Sequence, residues 1–243
     1  MTDSVPSPAL ARPGNLDELR IYRLGAIVAL AVTFAGFAPT YYLKSAYPAP
    51  QLDTLRHLHG IVMTAWFGLF LAQTHLVATN RVYVHRKPGI AGALLAIIVV
   101  IMGVALGIAS ARSGANPAGV PPKVFLVLPF GEMLAFATLV GAAITLRTRP
   151  EFHKRLMLLA TLAMLAPAIA RLPIAFLHEF GPPAHFALTD LLILAFVGWD
   201  TARHRKMHPA FVAGLAFILF VQAGRLAVSR TRFWDAFATW LIG

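Results

Sequence analysis

The sequence predicts an all-α fold, a polytopic membrane helical bundle of about seven transmembrane helices. Three observations carry this expectation. The chain contains seven separated apolar runs, each close to the roughly 20 residues that a helix needs to cross a bilayer. Charged residues make up only 13% of the chain, against about 25% in a soluble domain, and the mean hydropathy is +0.70. The 21 Lys and Arg outnumber the 10 Asp and Glu, yet they collect between the apolar runs. Basic residues in that position mark topology and touch lipid headgroups. The lipid bilayer is therefore the expected partner, and nucleic acid is not.

Taken in order, the expected spans are Leu24–Leu43, Leu58–Ala78, Ile90–Ala111, Val124–Leu146, Leu156–Leu177, Ala187–Thr201 with its flanks, and Pro209–Val228. Residues 1–20 read as a disordered polar tail, 21–228 as a single bundle, and 229–243 as an interfacial amphipathic segment anchored by Trp234 and Trp240. Proline and glycine supply the stops. Pro48 and Pro50 end the first loop, Pro88-Gly89 breaks the chain before the third span, and Pro121-Pro122 precedes the fourth. Gly181-Pro182-Pro183 separates the fifth and sixth. The sixth span is the shortest and carries Asp190. Gly103, Gly107 and Gly141 are expected to serve close helix packing.

The loops after spans two, four and six hold Arg81, Arg86, Lys87, Arg147, Arg149, Lys154, Arg155, Arg203, Arg205 and Lys206. Those after spans one, three and five hold only Lys44, Arg56, Arg112, Lys123 and Arg171. By the positive-inside rule the loops after spans two, four and six lie inside, and the expectation taken for the two termini is that both lie outside.

With that topology the polar residues form two layers. His57, His59, Arg171, His178, Glu179, Asp190, Gln222 and Arg225 fall in the outer one. His75, His85, Arg86, His153, Asp200, His204 and His208 fall in the inner one, with Glu132 between. His57 and His75 are 18 residues apart and so share a helix face, as His153 and Arg171 are expected to do in the fifth span. Ionisable groups near the membrane are costly and mark functional sites. One chemistry that uses this spacing is haem b ligation by imidazoles from two facing helices. His85 and His153 are the expected metal-binding pair. His57 or His59 with His178 or His185 forms a second candidate pair, and His75 has no mate. Arg86, Arg171 and Arg225 would serve haem propionates or a quinone headgroup. The bland alternative is that boundary histidines cap helices or bond to headgroups.

Other chemistries lack their residues. With no cysteine there is no disulfide, thiolate zinc site or thiolate-held iron–sulfur cluster. No HExxH occurs, and every lysine lies at a span end, where it cannot form a retinal Schiff base. Two functional readings remain: haem-based electron transfer with a quinone or similar carrier, and a non-enzymatic transporter or accessory subunit of a membrane complex. In the second, Arg171 with Asp190 would form an internal salt bridge.

The phrase VHRKPG (His85, Arg86, Gly89), followed after two spans by EFHKRLM (His153, Arg155, Met157) and then Arg171, resembles an uncharacterised family of bacterial predicted membrane proteins. Members carry an HRxxG phrase and a later HxRxM phrase. The resemblance covers about Arg81 to Arg171 and implies the bacterial inner membrane, with no established activity. The chain departs from it by adding RHLHG and further spans. It is distantly similar to transmembrane b-type cytochromes, which also place histidines at the ends of a central bundle.

Overall fold

A computed structural model describes residues 13–48, 51–116 and 120–243. The first twelve residues of the polar tail, and Pro50, lie outside them. Among these residues ten α-helices follow in order: α1 (Pro13–Phe37), α2 (Thr54–Ala78), α3 (Val82–Ser113), α4 (Pro122–Thr145), α5 (Pro150–Ala163), α6 (Ala166–Ile169), α7 (Ala175–Phe180), α8 (Pro182–His204), α9 (Pro209–Val228) and α10 (Arg232–Ile242). No strand occurs among the described residues. Seven stretches are long and apolar enough to cross a membrane, with α5 and α6 together making the fifth. The protein is an integral, multi-pass all-α membrane bundle.

Its packing runs opposite to that of a soluble protein. On α3 the large residues Ile90, Leu94, Ile97 and Ile101 point outward, Ile90 being 72% exposed. The same helix buries Ala96, Val99, Gly103 and Gly107. Lipid tails are as apolar as isoleucine, so helices associate through close contact of small residues and not by hiding large ones. Gly103 receives the Met133 side chain and Gly107 the Pro129 ring of α4. Gly141 faces open space, so it does not pack as the sequence suggests. At Gly36 on α1 the backbone of Ala168 comes so near that even a methyl group would collide with it.

α5 is the most enclosed span and packs against α4, α9, α1 and α8. At its N-terminal end lies the dominant polar contact of the bundle. Arg155 and Asp200, each 1% exposed, are joined by Arg155 Nη2 to Oδ1 and Oδ2 at 2.9 Å and by Arg155 Nε to Oδ2 at 3.1 Å. The Tyr22 hydroxyl of α1 donates to Asp200 Oδ1 at 3.0 Å, and Arg155 Nη1 donates to the Glu151 carbonyl at 3.0 Å. Three helices are thereby tied by one buried carboxylate.

Several boundaries differ from the sequence reading. Pro88-Gly89 does not break the chain, because α3 runs through Pro88 from Val82. A proline's φ is helical and it removes a single N–H. Gln73 Nε2 of α2 also donates to the neighbouring His85 carbonyl at 3.2 Å. The sixth span is 23 residues long, Pro182–His204, and within it Asp190 accepts from Gln222 and Asp200 from Arg155. The fifth span is Pro150–Ile169, not Leu156–Leu177. Pro167 can give no N–H to the Ala163 carbonyl, and the helix breaks at Met164–Leu165. His153 and Arg171 therefore do not share a helix face. At the other end of the bundle α10 is clamped by Trp234 Nε1 to the Lys123 carbonyl (2.8 Å), Lys123 to Asp235 (2.8 Å) and Arg112 to the Leu241 carbonyl (2.7 Å).

Replacing Asp200 with Ala leaves the buried Arg155 guanidinium with only the half-exposed Glu151 carboxylate as counter-charge and is expected to cost about 3 kcal/mol. Tyr22→Phe should cost only about 1 kcal/mol. Unfolding of the detergent-solubilised variants measures both, and an Asp200→Ala protein as stable as Tyr22→Phe would contradict the ranking.

Candidate functional site

The turn between α4 and α5 brings two histidines together at one end of the bundle. α4 ends at Thr145; the Leu146 N–H takes the Ala142 carbonyl, and the carbonyls beyond it are left to partners outside the helix. One of them, Ala143 O, is 2.8 Å from His153 Nδ1. That bond places the proton on Nδ1 and leaves Nε2 of the neutral ring as the free acceptor. His85, in the first turn of α3, presents its ring to His153 with centroids 6.3 Å apart and planes at 78°. Its Nδ1 is buried with no hydrogen-bond partner. α3 and α5 are not neighbours in the bundle; both pack on α4, and the two rings meet beyond the end of that helix. Arg86, beside His85, is exposed.

The remaining candidates disperse. His57 is exposed and packs on Tyr41 with centroids 5.6 Å apart. His59, two residues on, turns inward, and its Nδ1 is buried without a partner. His178 Nε2 bonds the Leu172 carbonyl at 3.1 Å and His185 Nε2 the Leu177 carbonyl at 2.9 Å. Both rings therefore tie down the turns around α7, and no ring contact joins them to His57 or His59 among the described residues. His75 is exposed near the end of α2, where it lines a groove together with Arg23 of α1. Among the described residues no group of three or more His, Asp or Glu is placed to hold a metal ion.

A second polar cluster occupies the other half of the bundle. Arg225 of α9 is 7% exposed. Its side chain lies across Gly131 of α4 and over the Phe186 ring of α8, with the guanidinium carbon 4.8 Å from the ring centre. Nε and Nη1 have no hydrogen-bond partner. Glu132, next to Gly131, interacts electrostatically with both Arg225 and Arg171. Arg171 sits in the turn beyond α6, donating to the Pro167 carbonyl at 2.7 Å and lying 4.6 Å over the Phe37 ring. The expected salt bridge from Arg171 to Asp190 does not form, because Asp190 accepts from Gln222 at 3.0 Å instead.

The sequence reading took Arg155 for a loop residue that sets topology, whereas it is the anchor of the bundle. A signal was present: Glu151 and Arg155 stand four apart at a helix start, the spacing at which opposite charges meet. Gln73, which steadies the His85 turn, carried no comparable signal. The chain matches no family model, no curated protein and no solved structure.

Next to the anchor, His208 caps α9: its Nδ1 accepts from the Ala210 N–H at 3.1 Å, which only the neutral ring can do. Burial, then the nearby Arg155 charge, holds its pKa below the usual histidine value. The unfolded chain therefore takes the proton first. The stability that this cap contributes, about 1 kcal/mol, is complete above the ordinary histidine pKa of about 6.5 and is lost as pH falls through the lower folded value. Unfolding measured from pH 7.5 to 4.5 should show this slope in the wild type and less of it in His208→Asn, which keeps an uncharged acceptor.

Proposed function

We propose that the protein is a membrane electron-transfer protein in which His85 and His153 hold the iron of one b-type haem. The observation that carries this reading is the convergence of two imidazoles from helices that are not neighbours, with the His153 tautomer fixed by Ala143 O. Two imidazoles that would hold one iron must stand at close range, and these two rings have centroids 6.3 Å apart. A haem so held supplies one-electron redox chemistry, with its potential set by ligand type and burial.

In this reading the chain's own groups do the positioning. The Ala143 carbonyl orients His153 and raises its basicity as a ligand. Gln73 holds the His85 turn against α2. Arg86, exposed beside His85, would meet a propionate. Arg171 and Arg225, in the opposite half, would receive the headgroup of a quinone, whose lipid solubility suits a site reached from the bilayer. The phrases around His85 and His153 belong to the family resemblance that links the chain to bacterial membrane proteins. The basic end would face the cytoplasm of a bacterial inner membrane. Seven spans put the termini on opposite faces, and Tyr22 of α1 meets Asp200 at the basic end, so the amino terminus would lie inside and the carboxyl terminus outside, in place of the expectation that both lie outside.

One observation favours the second reading, a transporter or accessory subunit. Glu132 lies within a span beside two arginines, an arrangement found along ion and proton paths.

Protein purified after expression with added haem precursor should show a Soret band that sharpens and shifts on reduction. His85→Ala and His153→Ala should each abolish it, while His57→Ala leaves it in place. Colourless wild-type protein under those conditions overturns the haem reading. Colourless protein with a pH-dependent solute flux that is lost in Glu132→Gln supports transport.

A further inference from the structure

His75 takes no part in the pair described above, and its surroundings point to a different ligand. It lines a cavity of about 500 Å³ together with Arg23, Ile27, Gly68, Leu71 and Ala72. A second cavity of about 390 Å³ shares Ile27 and Leu71 and adds Leu30, Ala31, Phe34, Tyr42 and Thr64. The two make one groove between α1 and α2. Its walls follow from helical spacing: Arg23, Ile27, Leu30 and Phe34 recur every three or four residues on α1, as Thr64, Gly68, Leu71 and His75 do on α2. Small residues keep it open, and a methyl group added at Gly68 would meet nothing within 4 Å.

The two ends of the groove differ. At one end are the guanidinium of Arg23 and the imidazole of His75, and among the described residues no acidic one lines either cavity. At the other, the Tyr42 hydroxyl meets the Thr64 hydroxyl at 2.8 Å, and Phe34 stacks on Tyr42 with centroids 5.0 Å apart, which closes the groove. From Arg23 to Phe34 the helix rises roughly 16 Å at 1.5 Å per residue, about half of the roughly 30 Å hydrocarbon core. That is the depth of a single leaflet. Ile27 and Phe34 are exposed on the lipid side, so the occupant comes from the bilayer, and the cationic mouth selects one with an anionic head.

We propose that the groove between α1 and α2 binds an anionic phospholipid, with Arg23 and His75 on its phosphate and one acyl chain running up to the Tyr42–Thr64 closure. An arginine at a bilayer surface pairs with phosphate oxygens. A neutral isoprenoid quinone would fill the same apolar slot but would leave Arg23 without a counter-charge. The proposal is independent of the haem reading, since neither His85 nor His153 lines the groove.

The test is the unfolding temperature of the purified full chain in neutral-detergent micelles, with phosphatidylglycerol or with phosphatidylcholine of the same acyl chains. Phosphatidylglycerol well above its Kd should raise the wild-type temperature by about 5 °C or more, and phosphatidylcholine by clearly less. Arg23→Gln should abolish the difference between the two lipids, and His75→Gln should reduce it. Gly68→Leu, which fills the groove and keeps Arg23, should lose the phosphatidylglycerol effect while its lipid-free unfolding temperature stays near the wild-type value. That variant decides the matter if Arg23→Gln fails to fold. Equal stabilisation of the wild type by the two lipids, full stabilisation of Arg23→Gln or of Gly68→Leu by phosphatidylglycerol, or an equal rise with a neutral isoprenoid quinone would overturn the proposal.

Discussion

The buried pair of Arg155 and Asp200 is the constraint on which the arrangement of this bundle depends. Removing two charges from water costs several kcal/mol each, and their attraction offsets this only with good geometry and further hydrogen bonds. Asp200 has both: two contacts from Nη2, one from Nε, and the Tyr22 hydroxyl. Such a pair contributes more to specificity than to raw stability. A rotation of α8 would pull the buried carboxylate off its guanidinium and a slide of α1 would lose the Tyr22 hydrogen bond, so the relative positions of α1, α5 and α8 are fixed together. Hydrophobic packing cannot supply that selectivity in a membrane, because lipid competes equally for every apolar face.

The candidate pair inherits its geometry from this anchor. His153 stands two residues before Arg155 on the same short helix, so the ion pair that seats α5 also sets where that ring begins. The end of α4 sets where it points, through a carbonyl that the helix itself cannot satisfy. His85 arrives by a separate route, through a helix that starts early, passes Pro88 and is held by Gln73. Two routes converging on one pair of rings is an arrangement that local sequence does not impose. The opposite half of the bundle is looser: Arg225 leaves two donors unmet, and the charges of Arg171 and Glu132 act without a direct contact.

Legibility varied with the range of the interaction concerned. The seven spans were readable because each is a local composition, an apolar run bounded by proline or charge. The prolines before the fourth and sixth spans were legible as boundaries by local rules, although the helices start at Pro122 and Pro182 and not at Val124 and Ala187. The break at Met164–Leu165 was not recognised, although Pro167 announces it, because the apolar run continues through the gap. Gly141 was misread for the opposite reason: a glycine in a span is a packing residue only where a neighbour approaches, and none does. Arg155 looked like a topology signal since its sequence neighbours are basic and its partner lies 45 residues away.

By itself the sequence determined the class of this protein. Apolar runs of bilayer length with basic residues between them leave an all-α bundle as the way to satisfy every backbone group in hydrocarbon. It also singled out His85 and His153, through two short phrases. Only the tertiary structure decided which polar groups meet. It seated Arg155 on Asp200, gave Asp190 to Gln222, tied His178 and His185 to nearby carbonyls, and left His75 beside Arg23 on a groove. Helical periodicity says which residues share a face. Which face meets which neighbour depends on crossings between helices far apart in sequence, and those are settled by the few buried charges that cannot be left unpaired.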